Sequence, residues 1–464
     1  MNAIVTMRIK TFLILFLSLL TLRVTAQDLT ATVRGVVLDK DSRQPLQGVN
    51  ILVINTNPPQ GATTNSDGSF KIENVSIGRH NLRFSYIGYE DALINELFIS
   101  SGKEIQLNIE MQEKVNAIKE VVVTAGKDKT KANNEFASVS ARSFSAEEMS
   151  RYAATQNDPA RVVQSFAGVM TAGDDNNQIV VRGNSPRGLL WRMEGIEIPN
   201  PNHFAGSEGS TGGGVSILSA NVLTNTDFYS GAFPAEYGDA LSGVFDLNLR
   251  KGNTETHEFT FQAGILGLEA ALEGPFSKNY NGSYLINYRY STLQLLGYMG
   301  LKIAGDVLPK YQDVSFNIYL PSKHSGNFTI WGIGGLSGLG QNAVHDTAQW
   351  HNLSDKTEYA QKQMIGVIGA THLFMLKDNK TYIKTVLSYS YTNNLDANDT
   401  LANDFRPFNL GDDRFIYKTL RATLMLNKKL MQKTWCGQAL YTATRATNCL
   451  ANHIHSFTTR CKPR

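Results

Sequence analysis

From His257 onward, apolar and polar residues alternate with a period of two, the pattern of strands that turn one face to an apolar medium. Tyr284, Ile286, Tyr288 and Tyr290 share one face. Val314, Phe316, Ile318 and Leu320 share another, opposite Ser315, Asn317 and Tyr319. Ile383, Leu387, Tyr389 and Tyr391 oppose Lys384 and Ser388, and Leu420, Ala422, Leu424 and Leu426 oppose Thr419, Arg421 and Thr423. Tyr-rich apolar faces suit lipid contact with an aromatic girdle, which places Arg289, Lys384 and Arg421 in a wet interior. The connections Ser291–Gln312 and Thr392–Arg414 are longer than a soluble sandwich uses, so the pattern predicts about seven strands of a transmembrane barrel between residues 251 and 433.

The pattern before residue 114 is different. Short strands over Thr32–Asp39, Ile51–Ile54, Phe70–Ile72 and Asn81–Tyr89, spaced by turns, predict a small β-sandwich over residues 27–113. Asn65-Ser66-Asp67-Gly68-Ser69 reads as a hairpin turn. It lacks the later Glu that a calcium loop of this type requires.

Residues 136–250 mix both periods. Ser145-Ala146-Glu147-Glu148 is a capping box opening a helix, and Asp158-Pro159 starts another, with Val162, Val163 and Phe166 inward and Gly168 at its end. Ile179–Gly183 and Leu189–Ile198 read as strands, and Asn200–Gly214 as a Gly-, Ser- and Asn-rich loop. Between the sandwich and this unit, a linker over residues 114–135 carries Glu120-Val121-Val122-Val123-Thr124-Ala125. Three β-branched residues in a row favour an extended peptide able to add to a partner's sheet edge. The same residues also read as a last strand of the sandwich.

Charge changes little: 44 basic against 41 acidic residues give +3, and no basic excess points to nucleic acid. Residues 1–26 have the form of a secretory signal, with Arg8 and Lys10 ahead of the apolar run Thr11–Leu22 and small residues at Val24–Ala26. Later residues contain no apolar run long enough for a spanning helix, so any span must be a barrel. Cys436, Cys449 and Cys461 cluster at the far end, where Asp413 is the last acidic residue; residues 434–464 are expected to be an aberrant tail of a truncated product.

The order F-A-G-V, I-V-V-R-G, M-E-G-I-x-I-P-N-P-N-H-F and D-F-Y-S-G-A-F-P-A-E-Y-G-D-A-L-S-G-V resembles the plug domain of TonB-dependent outer-membrane receptors, with Glu194 where that family usually has Asp. G-V-V-x-D, P-L-x-G-V and T-N-S-D-G-S-F resemble the carboxypeptidase regulatory-like domain that receptors of the Bacteroidetes type carry ahead of the plug. The fold expected is mostly β: a small β-sandwich, an α+β plug, then the first strands of an incomplete barrel that closes in this family with ~22.

The resemblance implies energy-coupled import of a nutrient such as a siderophore or glycan. Residues Glu120 to Ala125 (Glu120, Val121, Val122, Val123, Thr124, Ala125) then stand where the family carries its TonB box. The implied partners are TonB of the inner-membrane complex, outer-membrane lipid, an extracellular ligand and a surface lipoprotein, with no cofactor. Asn184, Ser185 and Arg187, with Asn200, Asn202, His203 and Phe204, are the candidate ligand contacts, on loops expected to face outward. A passive binding or adhesion protein is the alternative. No metal-ligand, nucleophile-elbow or phosphate-loop motif points to an enzyme, and Gly338–Ala343 only grazes a dinucleotide pattern.

Overall fold

The computed structural model describes residues 29–114, 141–293 and 309–452, apart from positions 55, 57, 102, 146–147, 150–157, 174–175, 207–208, 210, 235, 265–266, 379 and 432–433, with backbone alone beyond Lys429. The signal segment, the stretch Glu120–Ala125 and Cys461 lie outside the described residues.

Seven strands make the sandwich: β1 (Thr30–Asp39), β2 (Asn50–Ile54), β3 (Gln60–Thr63), β4 (Ser69–Ser76), β5 (Gly78–Ser85), β6 (Ala92–Ile99) and β7 (Ile105–Met111). They form sheets β4-β1-β7 and β3-β2-β5-β6 around Val33, Val37, Ile51, Val53, Phe70, Leu82 and Phe84. The Asp67-Gly68 turn is not a hairpin. Its flanking strands β3 and β4 belong to different sheets, so the turn carries the chain from one layer to the other. Gly68 takes φ +75°, and Asp67 accepts the Ser69 N–H at 3.0 Å.

The capping box forms: the Ser145 N–H donates to Glu148 at 3.0 Å and the Glu148 N–H to Ser145 Oγ at 3.2 Å. Helix α1 (Pro159–Val163) is capped by Asp158, which accepts from the Ala160 N–H at 2.8 Å. Around it lie β8 (Ala141–Phe144), β9 (Val169–Gly173), β10 (Asn176–Val181), β11 (Leu189–Met193), β12 (Ile196–Ile198), β13 (Asn202–His203), β14 (Val215–Ser216), β15 (Thr226–Tyr229) and β16 (Gly243–Leu247). The single strand expected over Leu189–Ile198 is a hairpin instead. Glu194 (φ 55°) and Gly195 (φ 89°) make the tight turn that joins β11 to β12. The central sheet of this unit runs β12-β11-β16-β15-β8.

The remaining strands form one antiparallel sheet in chain order: β17 (Glu258–Ala263), β18 (Gly267–Ser277), β19 (Tyr280–Ser291), β20 (Lys310–Ser322), β21 (Gly326–Gln341), β22 (Thr357–Met375), β23 (Thr381–Leu401), β24 (Pro407–Met431) and β25 (Thr434–Asn452). This wall is barrel-like and open. Its nine strands exceed the seven or so expected, and one of the additional strands is Thr434–Asn452, expected as a tail, which pairs along β24. Short turns join β18 to β19, β20 to β21 and β22 to β23 at one end, here called the turn end; the long connections after β19 and β21 lie at the other, the loop end. Among the described residues, no helix is long and apolar enough to cross a membrane.

Candidate functional site

The wall has two chemically distinct faces, as the alternation predicts. Phe259, Phe261, Ile286, Tyr288, Tyr290, Ile330, Ile368, Leu387, Tyr389, Leu420 and Leu424 stand on the outer face with 38–80% of their surface exposed. A contiguous apolar surface of this extent needs a partner, and lipid fits its Tyr-rich border. The inner face carries Glu269, Asn287, Asp313, Ser315, Asn317, Gln363, Ser388, Ser390 and Asn394.

The three inward cations, expected to face a wet interior, lie against protein instead. Each reaches the plug, the unit of residues 141–250. Arg289 pairs with Asp313 at 2.8 and 3.0 Å and also donates to the Ser216 carbonyl. Arg421 pairs with Glu197 at 2.7 Å. Lys384 lies against the Glu194-Gly195 turn, where a Cβ on Gly195 would stand 3.3 Å from its Nζ. Burial pushes the Glu194 carboxyl above its usual range, with Lys384 working against that shift.

Apolar contacts cross the same boundary. Leu285, Trp331, Ile333, Val367 and Val386 of the wall join Trp191, Met193, Ile198, Leu218 and Phe245 of the plug in one core. Trp331 is fully buried, and its indole N–H donates to Thr371 at 3.1 Å. Trp191 and Phe245 stack at 4.1 Å, which stiffens the plug sheet that meets the wall.

The seven predicted contact residues separate into two groups. Asn184, Ser185 and Arg187 are exposed on the turn between β10 and β11. Asn200, Asn202 and His203 are buried, which corrects the outward-facing loop expected for them. Asn202 donates to Asn200 at 2.6 Å and accepts from Asn177 at 3.0 Å, and Asn177 also donates to Asp158 at 2.6 Å. His203 Nε2 meets Asp313 at 3.0 Å. Gln363 of β22 donates to the Asn202 carbonyl at 3.2 Å and accepts the Ala205 N–H at 3.3 Å. Phe204 is half-buried at φ 58°, edge-on to Tyr311. The loop's amides bond to one another and to Gln363 of the wall, so the loop seats the plug.

Burial lowers the His203 pKa, although Asp313 acts in the opposite sense, and burial raises that of Asp158 despite the hydrogen bonds it accepts. Asp313, Gln363, Gln361, which donates to the Ala205 carbonyl at 3.1 Å, and Glu269, which accepts from Ser219 and Asn221, hold the plug from the wall and are not singled out by the sequence. Their signal is a strongly polar residue at an inward position of an otherwise alternating strand.

The sandwich docks on the turn end of the wall by charge. Arg34 is almost fully buried and reaches Glu104 at 3.1 Å, Glu255 at 2.8 Å and the Asn253 side chain. Lys103 meets Glu273 at 3.3 Å, a carboxylate that Arg250 also grips with two bonds at 2.6 and 2.7 Å. Lys429 of β24 meets Asp39 at 3.1 Å, Glu113 at 3.4 Å and Asp41 at 3.6 Å. The Asp39 carboxyl lies below its usual range: burial acts to raise it, and the bonds from Ser42, Lys429 and Tyr89 outweigh that.

Comparison with known proteins bears on these units. Residues 33–123 match the CarboxypepD_reg-like domain, a match that takes in Glu120–Val123. The TonB-dependent transporter Oar of Myxococcus xanthus is 23% identical over 288 residues, covering 60% of this chain and 25% of that protein. Among solved structures, the ferric enterobactin receptor of Pseudomonas aeruginosa aligns at 16% identity over 67% of this chain and 50% of that one, TM-score 0.45. The siderophore receptor PirA of Acinetobacter baumannii aligns at 14% over 67% and 58%, TM-score 0.39. The chain spans a quarter of the length of the curated relative and about half that of these receptors. It is thus a relative of the TonB-dependent transporters, with a CarboxypepD_reg-like domain over residues 33–123.

Proposed function

We propose that this chain is the plug-bearing part of an energy-coupled importer of the Gram-negative outer membrane, with the sandwich on the periplasmic side. The observation that carries the reading is the plug seated on the polar inner face of a wall whose outer face is apolar. A plug that fills the lumen has to be moved for a solute to pass, and nothing in the sequence supplies a nucleotide site to move it. The work then comes from a partner, TonB, pulling on Glu120–Ala125. The relative whose name carries a function is a transporter, which favours a non-enzymatic role. Asn184, Ser185 and Arg187, on the turn that stays exposed, are the proposed ligand contacts of the plug.

Strand addition uses backbone N–H groups, and proline removes one and fixes φ. The test is binding of the purified chain to the C-terminal domain of TonB. Val122→Pro or Val123→Pro should lose binding, while Val122→Thr should keep it. Equal binding by the proline variants would return these residues to the sandwich as an ordinary strand and leave the passive adhesion reading standing.

A further inference from the structure

One strand of the sandwich meets the rest of the molecule at two separate points. Arg34 of β1 reaches Glu255, just ahead of β17, at 2.8 Å, and Lys103 beside it meets Glu273 of β18. Asp39, at the end of β1, holds Lys429 of β24 at 3.1 Å. Arg34 and Asp39 are ~17 Å apart along the strand. The wall strands at the two points, β18 and β24, are six apart in the sheet, so β1 lies across the turn end of the curved wall rather than beneath one strand. β7 runs parallel to it, with Val33 opposite Ile105 and Asp39 opposite Met111. Glu104 then adds to the first point and Glu113 to the second. Next to the second point, Arg43 bonds Glu110 and the buried Tyr382 of β23. Lys384, two residues along β23, lies against the Glu194–Gly195 turn of the plug.

The first point is also where the plug joins the wall. Residues 248–257 lead from β16 to β17, and groups from all three units close on them. From the wall, Asn317 donates to the Arg250 carbonyl at 2.9 Å, and Glu273 accepts the Asn253 N–H at 3.1 Å. From the plug, Glu194 accepts the Leu249 N–H at 2.8 Å. From the sandwich, Glu104 accepts from the Asn253 side chain at 2.9 Å, and its own N–H donates to Glu258 at 3.2 Å. Asn253 and Glu273 are both buried by this enclosure. Gly252 passes so near the Tyr284 carbonyl that no side chain fits there. A junction gripped by the wall on one side and the sandwich on the other cannot swing while the sandwich stays docked.

We propose that the sandwich is a strap across the turn-end mouth of the wall: docked, it pins the plug–wall junction and holds the plug in, and release of its Lys429 tie frees the junction, a role that rests on the importer reading above. Glu113, which Lys429 holds, stands seven residues before Glu120, a tether of ~25 Å at full stretch. Sixteen residues separate Ala125 from Ala141, the first residue of β8. A pull on Glu120–Ala125 thus reaches the Lys429 tie through the shorter tether.

Amide hydrogen exchange of the 464-residue chain in dodecyl maltoside micelles, without TonB, reads the strap directly. Lys429→Gln changes no residue of the sandwich, the plug or the junction, yet it should speed exchange at Leu249 and Asn253 about fivefold. About 0.5 M NaCl should do the same to the unaltered chain. Lys429→Arg keeps the charge and should leave exchange as it is. So should Lys428→Gln, which alters an exposed neighbour on the same strand. Leu82 and Phe84, in the sandwich core, should stay protected in Lys429→Gln, because the domain undocks without unfolding. Unchanged exchange at Leu249 and Asn253 in Lys429→Gln, an equal effect of Lys428→Gln, or faster exchange of the sandwich core would overturn the strap. TonB binding is measured apart from this. A chain that shows the exchange pattern but binds no TonB keeps the strap and loses the importer reading, and the reverse result keeps the importer and removes the strap.

Discussion

The plug and the sandwich both contact the wall, and they hold on by different physics. The plug shares an apolar core with Leu285, Trp331 and Val367, and its contact with the Arg289–Asp313 pair is buried while Arg421–Glu197 stays partly exposed, so it is held mainly by burial. The sandwich meets the rim through Arg34, Lys103 and Lys429, whose partners run from buried Asp39 and Glu273 to Glu113 and Glu255, which water still reaches. Apolar burial is insensitive to salt, whereas charge pairs that water reaches are screened within about 10 Å at 0.1 M. The sandwich contact, built on charge, is therefore expected to be the more salt-sensitive of the two.

The largest effect is expected from emptying the shared core. Trp331→Ala removes a fully buried ring at the centre of the plug–wall contact and should cost about 3–5 kcal/mol. The plug should become protease-sensitive at a lower urea concentration. An unshifted midpoint would mean that plug and wall are not one core.

Asp313→Ala comes next. It strands Arg289 without its carboxylate and should cost about 3 kcal/mol, most of it recovered in the double variant Asp313→Ala/Arg289→Met. His203 adds a pH signature. Its folded pKa is depressed, so the unfolded chain binds the proton first, and its contribution is present above the unfolded value near 6.5 and lost as pH falls. Asp158 and Glu194, whose pKa values burial raises, act in the opposite sense on acidification. The comparison that isolates the histidine is the chain against His203→Gln between pH 7.5 and 5.5, where the variant should lose less of its plug protection.

At the rim, Arg34→Ala should weaken docking by about 2 kcal/mol. The readout is the yield of cross-linking by a bismaleimide between cysteines placed on the exposed surfaces of the sandwich and the rim, away from the paired residues, which 0.5 M NaCl should also lower. Salt-independent cross-linking would contradict the contrast drawn above. Glu255→Gln, which removes the pairs to Arg34 and Lys71 from a carboxylate that is 47% exposed, should change the yield least, by about 0.5 kcal/mol.

Much of this architecture could be read before any fold was known. The capping box at Ser145 and Glu148 and the Pro159 helix start form as expected, because their hydrogen bonds are local to a few residues. The apolar faces of the wall follow because a strand's period is two whatever it packs against. His203 shows the limit. Asn200 to Phe204 has the composition of a solvent-facing turn, yet the segment is enclosed, since its partners Asp313 and Gln363 are more than a hundred residues away in sequence. The Leu189–Ile198 segment was missed for a different reason: Glu194-Gly195 is a turn signal weaker than Asn-Gly or Asp-Gly.

By itself the sequence determined which residues alternate, where helices begin, and that the chain passes from sandwich to plug to wall, all matters settled by neighbours along the backbone. Only the tertiary structure decided that Arg289, Lys384 and Arg421 face plug groups rather than water, and that Asp67-Gly68 joins two sheets rather than two paired strands. Thr434–Asn452 is the extreme case: its composition breaks from the strands before it, and pairing along β24 makes it a strand. An inward polar side chain records only that it must be satisfied. Which group satisfies it depends on long-range packing, because a hydrogen bond or ion pair is equally available from water, from the same strand or from a domain folded elsewhere.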